Sequence, residues 1–479
     1  MEVLIYDTMS GNKVPVPNNN HKVGIYVCGL TVYDRAHLGH ARVFVVFDVF
    51  RRILAKNGYD VRYVQNFTDV DDRIILKAKE LGVSIKQIAD QYIAAYFDDA
   101  KKLNVIDADV YPRATEHIND ILALIKKIED KGYAYVTSKG VYFRVSKFKQ
   151  YGKLSHQSVD NLKSGARVEP DPEKEYPLDF SLWKFYKGDP VEPRWDSEWG
   201  PGRPGWHIEC SAMSMKYLGV IDVHGGGADL IFPHHENEIA QSEAATDQVF
   251  ARSWMHVGLL SIEGEKMSKS LKNFITIDEA VKRWGGNAVR LFLLSTPYRS
   301  ALSYSEVALE RSADNWLQIE ATYAEALCPR TGDSVVSDEY LIKNKELEQR
   351  LIEYLADDLN TPAALNAIFQ YFSYLAKVSA EGDGLNERQA ELVIDNAKII
   401  EEMLGFTFPR KEYGYEELIF DRFELRRQKK YAEADAIRNK LRQDGLLLID
   451  HKDHTIWFKS SVPDAGQRIA RAGPGFLSK

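Results

Sequence analysis

The stretch from Lys22 to Phe67 restricts the fold more than any other part of the chain. "KVGIYVCGL" (22–30) is a run of β-branched and aromatic residues closed by Gly29, the pattern of a short buried strand. After a turn, "HLGHARVFVVFDVFRRILAKNG" (37–58) carries a broad apolar helical face and stops at Asn57-Gly58. "DVRYVQNF" (60–67) reads as a second strand. Strand, helix and strand in such close succession make a βαβ unit, which builds a parallel sheet with right-handed crossovers. An α/β fold is expected, with ligands collecting beyond the carboxyl ends of the strands.

The 479 residues are too many for one core, and at roughly 100–200 residues per domain they imply three or four. From about Asp107 to Pro204 the texture changes to short strands and Pro/Trp-rich loops, which reads as an insertion into the sheet domain. "GVIDVHGGG" (219–227) resumes the sheet. Residues 311–405 are helical in pattern, and 411–479 mix a basic helix with a strand pair and a Gly/Ala-rich tail. Residues 421–479 carry 13 Lys/Arg against 8 Asp/Glu, a net +5 on a chain whose total is −8, which hints at a polyanionic partner. No apolar run reaches the ~18 residues of a membrane span, and the first twenty residues lack a secretory pattern. Three widely spaced cysteines, Cys28, Cys210 and Cys328, argue for a reducing cytoplasm rather than a disulfide framework.

Chemistry concentrates in three places. "FPHHENEIAQSEA" (232–244) puts two histidines and two acids into five positions. If Pro233 opens a helix, His234 and Glu238 stand four apart on one face, which is ligand spacing; a solvated helix start explains the same letters. His37 and His40 share a face at a helix N-terminus, where N–H groups and the dipole attract phosphate. "EKMSKS" (265–270) offers Lys266 and Lys269 as point charges for a pyrophosphate, with serines to hydrogen-bond its oxygens; a solvated polar loop is the plain alternative.

"HLGH" paired with "KMSKS" resembles the signature of the class I aminoacyl-tRNA synthetases. "YVCGLTVYDRAHLGHAR", "NFTDVDDRI", "GWHIECSAM", "DVHGGGADLIFPHHENEIAQSEA", "DDLNTPAAL" and "AEADAIRNKL" are similar, in order, to cysteinyl-tRNA synthetases, over more than nine-tenths of the chain. The resemblance implies a Rossmann-like parallel-sheet catalytic domain split between 1–106 and 205–250, with a connective domain inserted at 107–204. A KMSKS and stem-contact region (251–310), a helical bundle (311–405) and a mixed α/β anticodon-binding domain (411–479) follow. It implies a ligase that activates L-cysteine with ATP and Mg²⁺ and transfers it to tRNA(Cys), as a cytoplasmic monomer without membrane contact.

The resemblance also implies roles for single residues. One zinc ion per chain would be held by Cys28, Cys210, His234 and Glu238, although His207, helix-spaced from Cys210, offers a rival ligand. Cys28, Gly29, Thr31, Thr68, Trp206 and His224 would place the amino acid, with His224 equally readable as a core histidine. His37, His40, Gly226, Gly227, Asp229 and Lys269 would hold ATP, with His37, His40, Lys266 and Lys269 acting in catalysis. Arg427, Asp435 and Asp450 would read the anticodon. Leu30, Glu198 and His454 depart from the family, where proline, proline and glycine are usual.

A metal also has an independent rationale. Shape alone separates near-isosteres such as cysteine and serine only ~10–200-fold. Zinc takes a thiolate and is a poor partner for a serine hydroxyl. Two other readings share these features: a ligase joining cysteine to an amino sugar, whose relatives lack a segment like 411–479, and a zinc-stabilised tRNA-binding protein without catalysis, which needs neither "HLGH" nor "KMSKS".

Overall fold

The computed structural model describes residues 1–158, 172–262, 265–266, 274–330 and 335–472. Four parallel strands form the central sheet: β1 (Lys22–Thr31), β2 (Asp60–Thr68), β3 (Ile221–Gly227) and β4 (Ala251–Val257), in the order β4-β3-β1-β2. Tyr26 of β1 lies opposite Val64 of β2 and His224 of β3. The chain leaves β1 towards one edge and resumes at β3 on the other side. The topological switch, where such sheets bind ligands, therefore falls between β1 and β3.

Helix α1 (Leu38–Lys56) crosses from β1 to β2, with Phe44, Phe47, Phe50, Ile53 and Leu54 buried beneath it. It ends at Asn57, and Gly58 adopts φ +82°, matching the stop read in the sequence. Phe47 reaches so far into the sheet that a Cβ on Gly225 would stand 2.1 Å from its ring. Gly225 is thus required by helix–sheet packing.

Asp48 of α1 ties the sheet domain to the helices. Its carboxylate accepts from Arg52 Nε at 2.8 Å, from the Ile106 amide at 2.9 Å and from buried Arg290. Arg290 also donates to the carbonyls of Leu103 and Leu404, and Arg52 to that of Glu401. One ion-pair network therefore fastens α1, the 103–106 turn, Gly286–Leu293 and Glu387–Leu404 together.

Between β2 and helix α2 (Trp206–Leu218) the chain makes an antiparallel sheet from Ala134–Val136, Gly140–Phe143, Phe180–Phe185 and Gly202–Pro204. The helix Ile118–Asp130 covers it, closing a separate core around Ile121, Ile125, Phe143 and Trp183. Before this unit, Val110 and Arg113 run alongside Val64 and Phe67 of β2. Helix α3 (Glu236–Thr246) precedes β4. Four long helices between Glu306 and Leu404 form the bundle. The last described part holds the helices Glu416–Arg427 and Tyr431–Gln443, the hairpin Leu446–Asp450 with Thr455–Lys459, and Ala465–Ala472. Among the described residues no helix is long and apolar enough to cross a membrane.

Candidate active site

The register of β1 on β2 slips between Val27 and Leu30. A β-bulge of this kind re-aims side chains at the end of a strand, and here it sits under Cys28 and Gly29. A Cβ on Gly29 would lie 1.7 Å from the Asn66 carbonyl oxygen, while the Gly29 amide donates to Asn66 Oδ1 at 2.9 Å. Gly29→Ala is therefore expected to cost about 3 kcal/mol through forced backbone movement; calorimetry against the parent would measure it, and an unchanged melting temperature would refute the packing argument.

Cys28 Sγ lies 3.8 Å from Cys210 Sγ of α2 and 3.5 Å from Glu238 Oε1 of α3. His234 Nε2 stands 2.9 Å from that same carboxylate oxygen. Two sulfurs bound tetrahedrally at about 2.3 Å from one zinc stand roughly 3.8 Å apart. The separation found fits, and the ligand atoms of all four residues lie within 4.8 Å of one another.

The local route to this geometry differs from the sequence reading. Pro233 does not open the helix: Phe232 is extended (φ −137°, ψ 132°), the Phe232–Pro233 bond is cis, and the regular helix starts at Glu236. His234 and Glu238 still meet, because the turn before Glu236 keeps helical spacing. Glu236 serves the fold, accepting from the amides of Gly152, Leu154 and Ser155.

The charges suit a cation. A hydrogen bond from Cys28 holds the Cys210 thiol down at about 6, whereas burial and that same bond push Cys28 up. Burial opposes the charge on Glu238, yet His224 and His234 hold its carboxyl at about 2. Burial likewise works against a charged His234, but Glu238 and the Cys210 sulfur raise it to about 10. The site thus combines a thiolate and a carboxylate with protons on Cys28 and His234 that a bound cation would displace.

Cys28, His224, His235 and Glu238 make a second compact set. Imidazole ligands almost always have a partner for their other ring nitrogen. His234 meets this condition through His207, Nδ1 to Nδ1 at 2.9 Å, but the Nδ1 of fully buried His224 has no hydrogen-bond partner among the described residues. The set with two sulfurs is also the softer one. His207, the rival ligand of the sequence reading, instead stands behind His234 and belongs to neither set.

A file of imidazoles extends inward. His235 Nε2 is 3.3 Å from Cys28 Sγ, its Nδ1 2.8 Å from His256 Nε2, and His256 Nδ1 2.7 Å from Thr8 Oγ1. Burial keeps His235 and His256 neutral, His256 down at about 3. Sequence reasoning missed His256; its only signal is a place at the carboxyl end of β4, opposite Gly226 of β3.

Outward, Cys28 borders a cavity of about 370 Å³ that is also lined by Gly29, Thr31, His37, His40, Trp206, Gly227 and Asp229. His37 caps α1: its Nδ1 accepts from the Gly39 amide at 3.0 Å, and its own amide donates to His40 Nδ1 at 3.3 Å. The rings stack with centroids 3.8 Å apart. With both Nδ1 atoms accepting, each neutral ring carries its proton on Nε2, giving two N–H donors beside the helix N-terminus. Trp206, at the start of α2, packs 4.3 Å from the ring of His234, and Arg73 Nη2 donates to Thr31 Oγ1 at 3.4 Å.

Other residues singled out in the sequence lie as follows. Thr68 is buried at the end of β2, accepting from Asn66 Nδ2 at 3.4 Å. His224 is buried beneath Glu238, 2.9 Å from Oε2, and stacks on Trp254. A Cβ on Gly226 would face Leu230 and His235, whereas Gly227 borders the cavity. Lys266 ends the short strand Glu265–Lys266, and Lys269 lies outside the described residues. Arg427 pairs with Glu424 on an exposed helix face, and Asp435 is exposed. Asp450 accepts from Arg422 at 2.6 and 2.9 Å and from Thr455 at 3.0 Å.

Comparison with known proteins gives the family. The model of the tRNA synthetases class I (C) catalytic domain matches residues 14–314. The cysteine–tRNA ligase of Thermococcus gammatolerans is 44% identical over 96% of this chain and 100% of its own length. That of Dehalococcoides mccartyi is 45% identical over 95% and 98%. Among solved structures, Mycobacterium tuberculosis methionyl-tRNA synthetase in complex with methionyl-adenylate shares the fold, at TM-score 0.61 and 18% identity over 80% of this chain and 92% of that one. Fold, signature residues and full-length likeness converge: the chain belongs to the cysteine–tRNA ligase family of the class I tRNA synthetases.

Proposed function

We propose that this protein activates L-cysteine with ATP to cysteinyl-adenylate at the cavity between β1 and β3, then transfers the cysteinyl group to tRNA(Cys). The observation that carries this reading is the quartet Cys28, Cys210, His234 and Glu238 opening, through Cys28, onto a cavity walled by His37 and His40. A zinc ion held by the quartet would take the substrate side chain as a thiolate, which serine and alanine cannot supply.

The chain's own groups do the rest by position and charge, since the substrate carboxylate is itself the nucleophile. Gly29, Thr31 and Trp206 border the amino-acid end, with Thr68 behind them. Asp229 accepts from ribose hydroxyls, and Gly227 lets the nucleotide approach the β3 end. The Nε2–H groups of His37 and His40 donate to phosphate oxygens as charge builds at the α-phosphorus. Lys266 and Lys269 take the pyrophosphate, and Mg²⁺ arrives with ATP. The inserted unit at 107–204 and the 251–310 region flank the acceptor end of the tRNA, while 411–479 reads the anticodon through Arg427, Asp435 and Asp450. The working form is a cytoplasmic monomer.

Cysteine-dependent ATP–pyrophosphate exchange, followed by charging of tRNA(Cys), tests the whole reading. Exchange without charging of tRNA, but with transfer to an amino sugar, would replace the second step. Dialysis against a strong chelator is expected to abolish exchange, and Zn²⁺ to restore it. Full exchange by protein shown to be metal-free would overturn the role given to the quartet.

A further inference from the structure

Of the fully buried arginines among the described residues, Arg290 and Arg422 each meet a carboxylate, and Arg42 does not. Arg42 lies in α1, one turn beyond His37–His40, and is 0% exposed. Its Nη1 donates to the carbonyls of Gly258 at 2.8 Å and Leu259 at 3.3 Å. Its Nη2 donates to Thr296 Oγ1 at 3.0 Å and the Pro297 carbonyl at 3.2 Å. All four acceptors are uncharged oxygens, and Nε has no hydrogen-bond partner among the described residues. Burial pulls the guanidinium down to about 10, so it keeps its charge at neutral pH. Burying such a charge without a carboxylate is costly, and the fold does so beside the cavity.

The acceptors mark what the charge holds. Gly258, Leu259 and Leu260 line the cavity just past β4, whose last residue, Val257, pairs with Gly227 at the end of β3. The wall is stitched to the following turn: the Gly258 amide donates to the Tyr298 carbonyl at 2.7 Å and the Leu302 amide to that of Leu259 at 2.9 Å. A Cβ on Gly258 would stand 2.3 Å from the Ser300 carbonyl oxygen, so the strands of this wall are in close contact. These bonds join wall and turn, and Arg42 ties both to α1. Because His37 caps α1 and His40 lies in its first turn, the guanidinium ties the phosphate donors to this wall.

We propose that Arg42 is a positioning residue for the nucleotide half of the site, fixing the 258–260 wall against the start of α1 at the spacing ATP requires. This rests on the adenylation reading above. Cysteine occupies the other half, at the ends of β1 and β2, so loss of the clamp falls on ATP.

Arg42→Lys keeps the charge but, having one nitrogen, cannot reach both halves of the wall. It is expected to lower kcat/KM for ATP in pyrophosphate exchange by about 10–100-fold, the scale of a displacement near 1 Å, while KM for cysteine stays within about twofold. Thr296→Val removes one acceptor without touching the charge and is expected to shift the ATP parameters in the same direction by less. Both are compared per folded molecule, using thermal unfolding to count it. Equal loss for ATP and cysteine, or no change in either variant, overturns the proposal. Calorimetric binding of a non-hydrolysable ATP analogue separates the two levels. A wild-type protein that binds the analogue without exchanging rejects the reaction, and Arg42→Lys must still weaken that binding at least about fivefold for the clamp to stand.

Discussion

Cys28→Ser is expected to lower cysteine-dependent pyrophosphate exchange by about 10³-fold, roughly 4 kcal/mol, while affinity for an ATP analogue stays within about twofold. The asymmetry follows from where Cys28 sits. Cys28 is the one member of the quartet that lines the cavity, at 8% exposure, and its sulfur lies 3.8 Å from Cys210 and 3.3 Å from His235. A hydroxyl there is hard to ionise and is a poor ligand for a borderline-soft cation. His37, His40, Gly227 and Asp229 are untouched, so the nucleotide keeps its contacts. Metal content per chain, measured on the same samples, should fall with the exchange rate. Equal losses for cysteine and ATP would mean that Cys28 supports the fold rather than the substrate.

Asp48→Ala is expected to cost about 3–5 kcal/mol of stability, because it strands Arg290 as an unpaired charge. Asp48 and Arg290 are 1% and 0% exposed, so the charge left behind is far from bulk solvent. Urea unfolding read by tryptophan fluorescence would report the loss. Asp48→Asn should lose less, since its amide oxygen can still accept from the Ile106 amide, 2.9 Å away. Arg290→Met in the Asp48→Ala background should recover part of the stability, because the uncompensated charge is then gone. A double variant less stable than Asp48→Ala alone would show that the carbonyl contacts of Arg290, not its charge, matter more.

Local pattern carried the βαβ unit and its helix stop, because strand, helix and Asn57-Gly58 each signal within a few residues. It carried His37 and His40 as neighbours for the same reason. The bulge at Cys28–Gly29 could not be read, since its cause is the Asn66 carbonyl on another strand. Nor could the start of α3: Phe232 breaks the helical path by its own backbone angles, and a proline at that place looks like a good first helical residue. Gly225, beside the two glycines given to ATP, makes room for Phe47 of α1, a contact that the local sequence does not signal. His256 and the paired nitrogens of His207 and His234 depend on contacts between distant segments, and so does the ionisation of Cys210.

Cys28 and Cys210 are 182 residues apart, and Cys28 and Glu238 are 210 apart, with a separately cored unit threaded between β2 and α2. No nascent chain released before Glu238 can assemble the four groups. A polypeptide emerging from the ribosome presents Cys28 alone while the antiparallel sheet forms behind it. Completion of the quartet is thus a late event in synthesis, and a truncated product, however well its first strands pair, has nowhere to hold a cation.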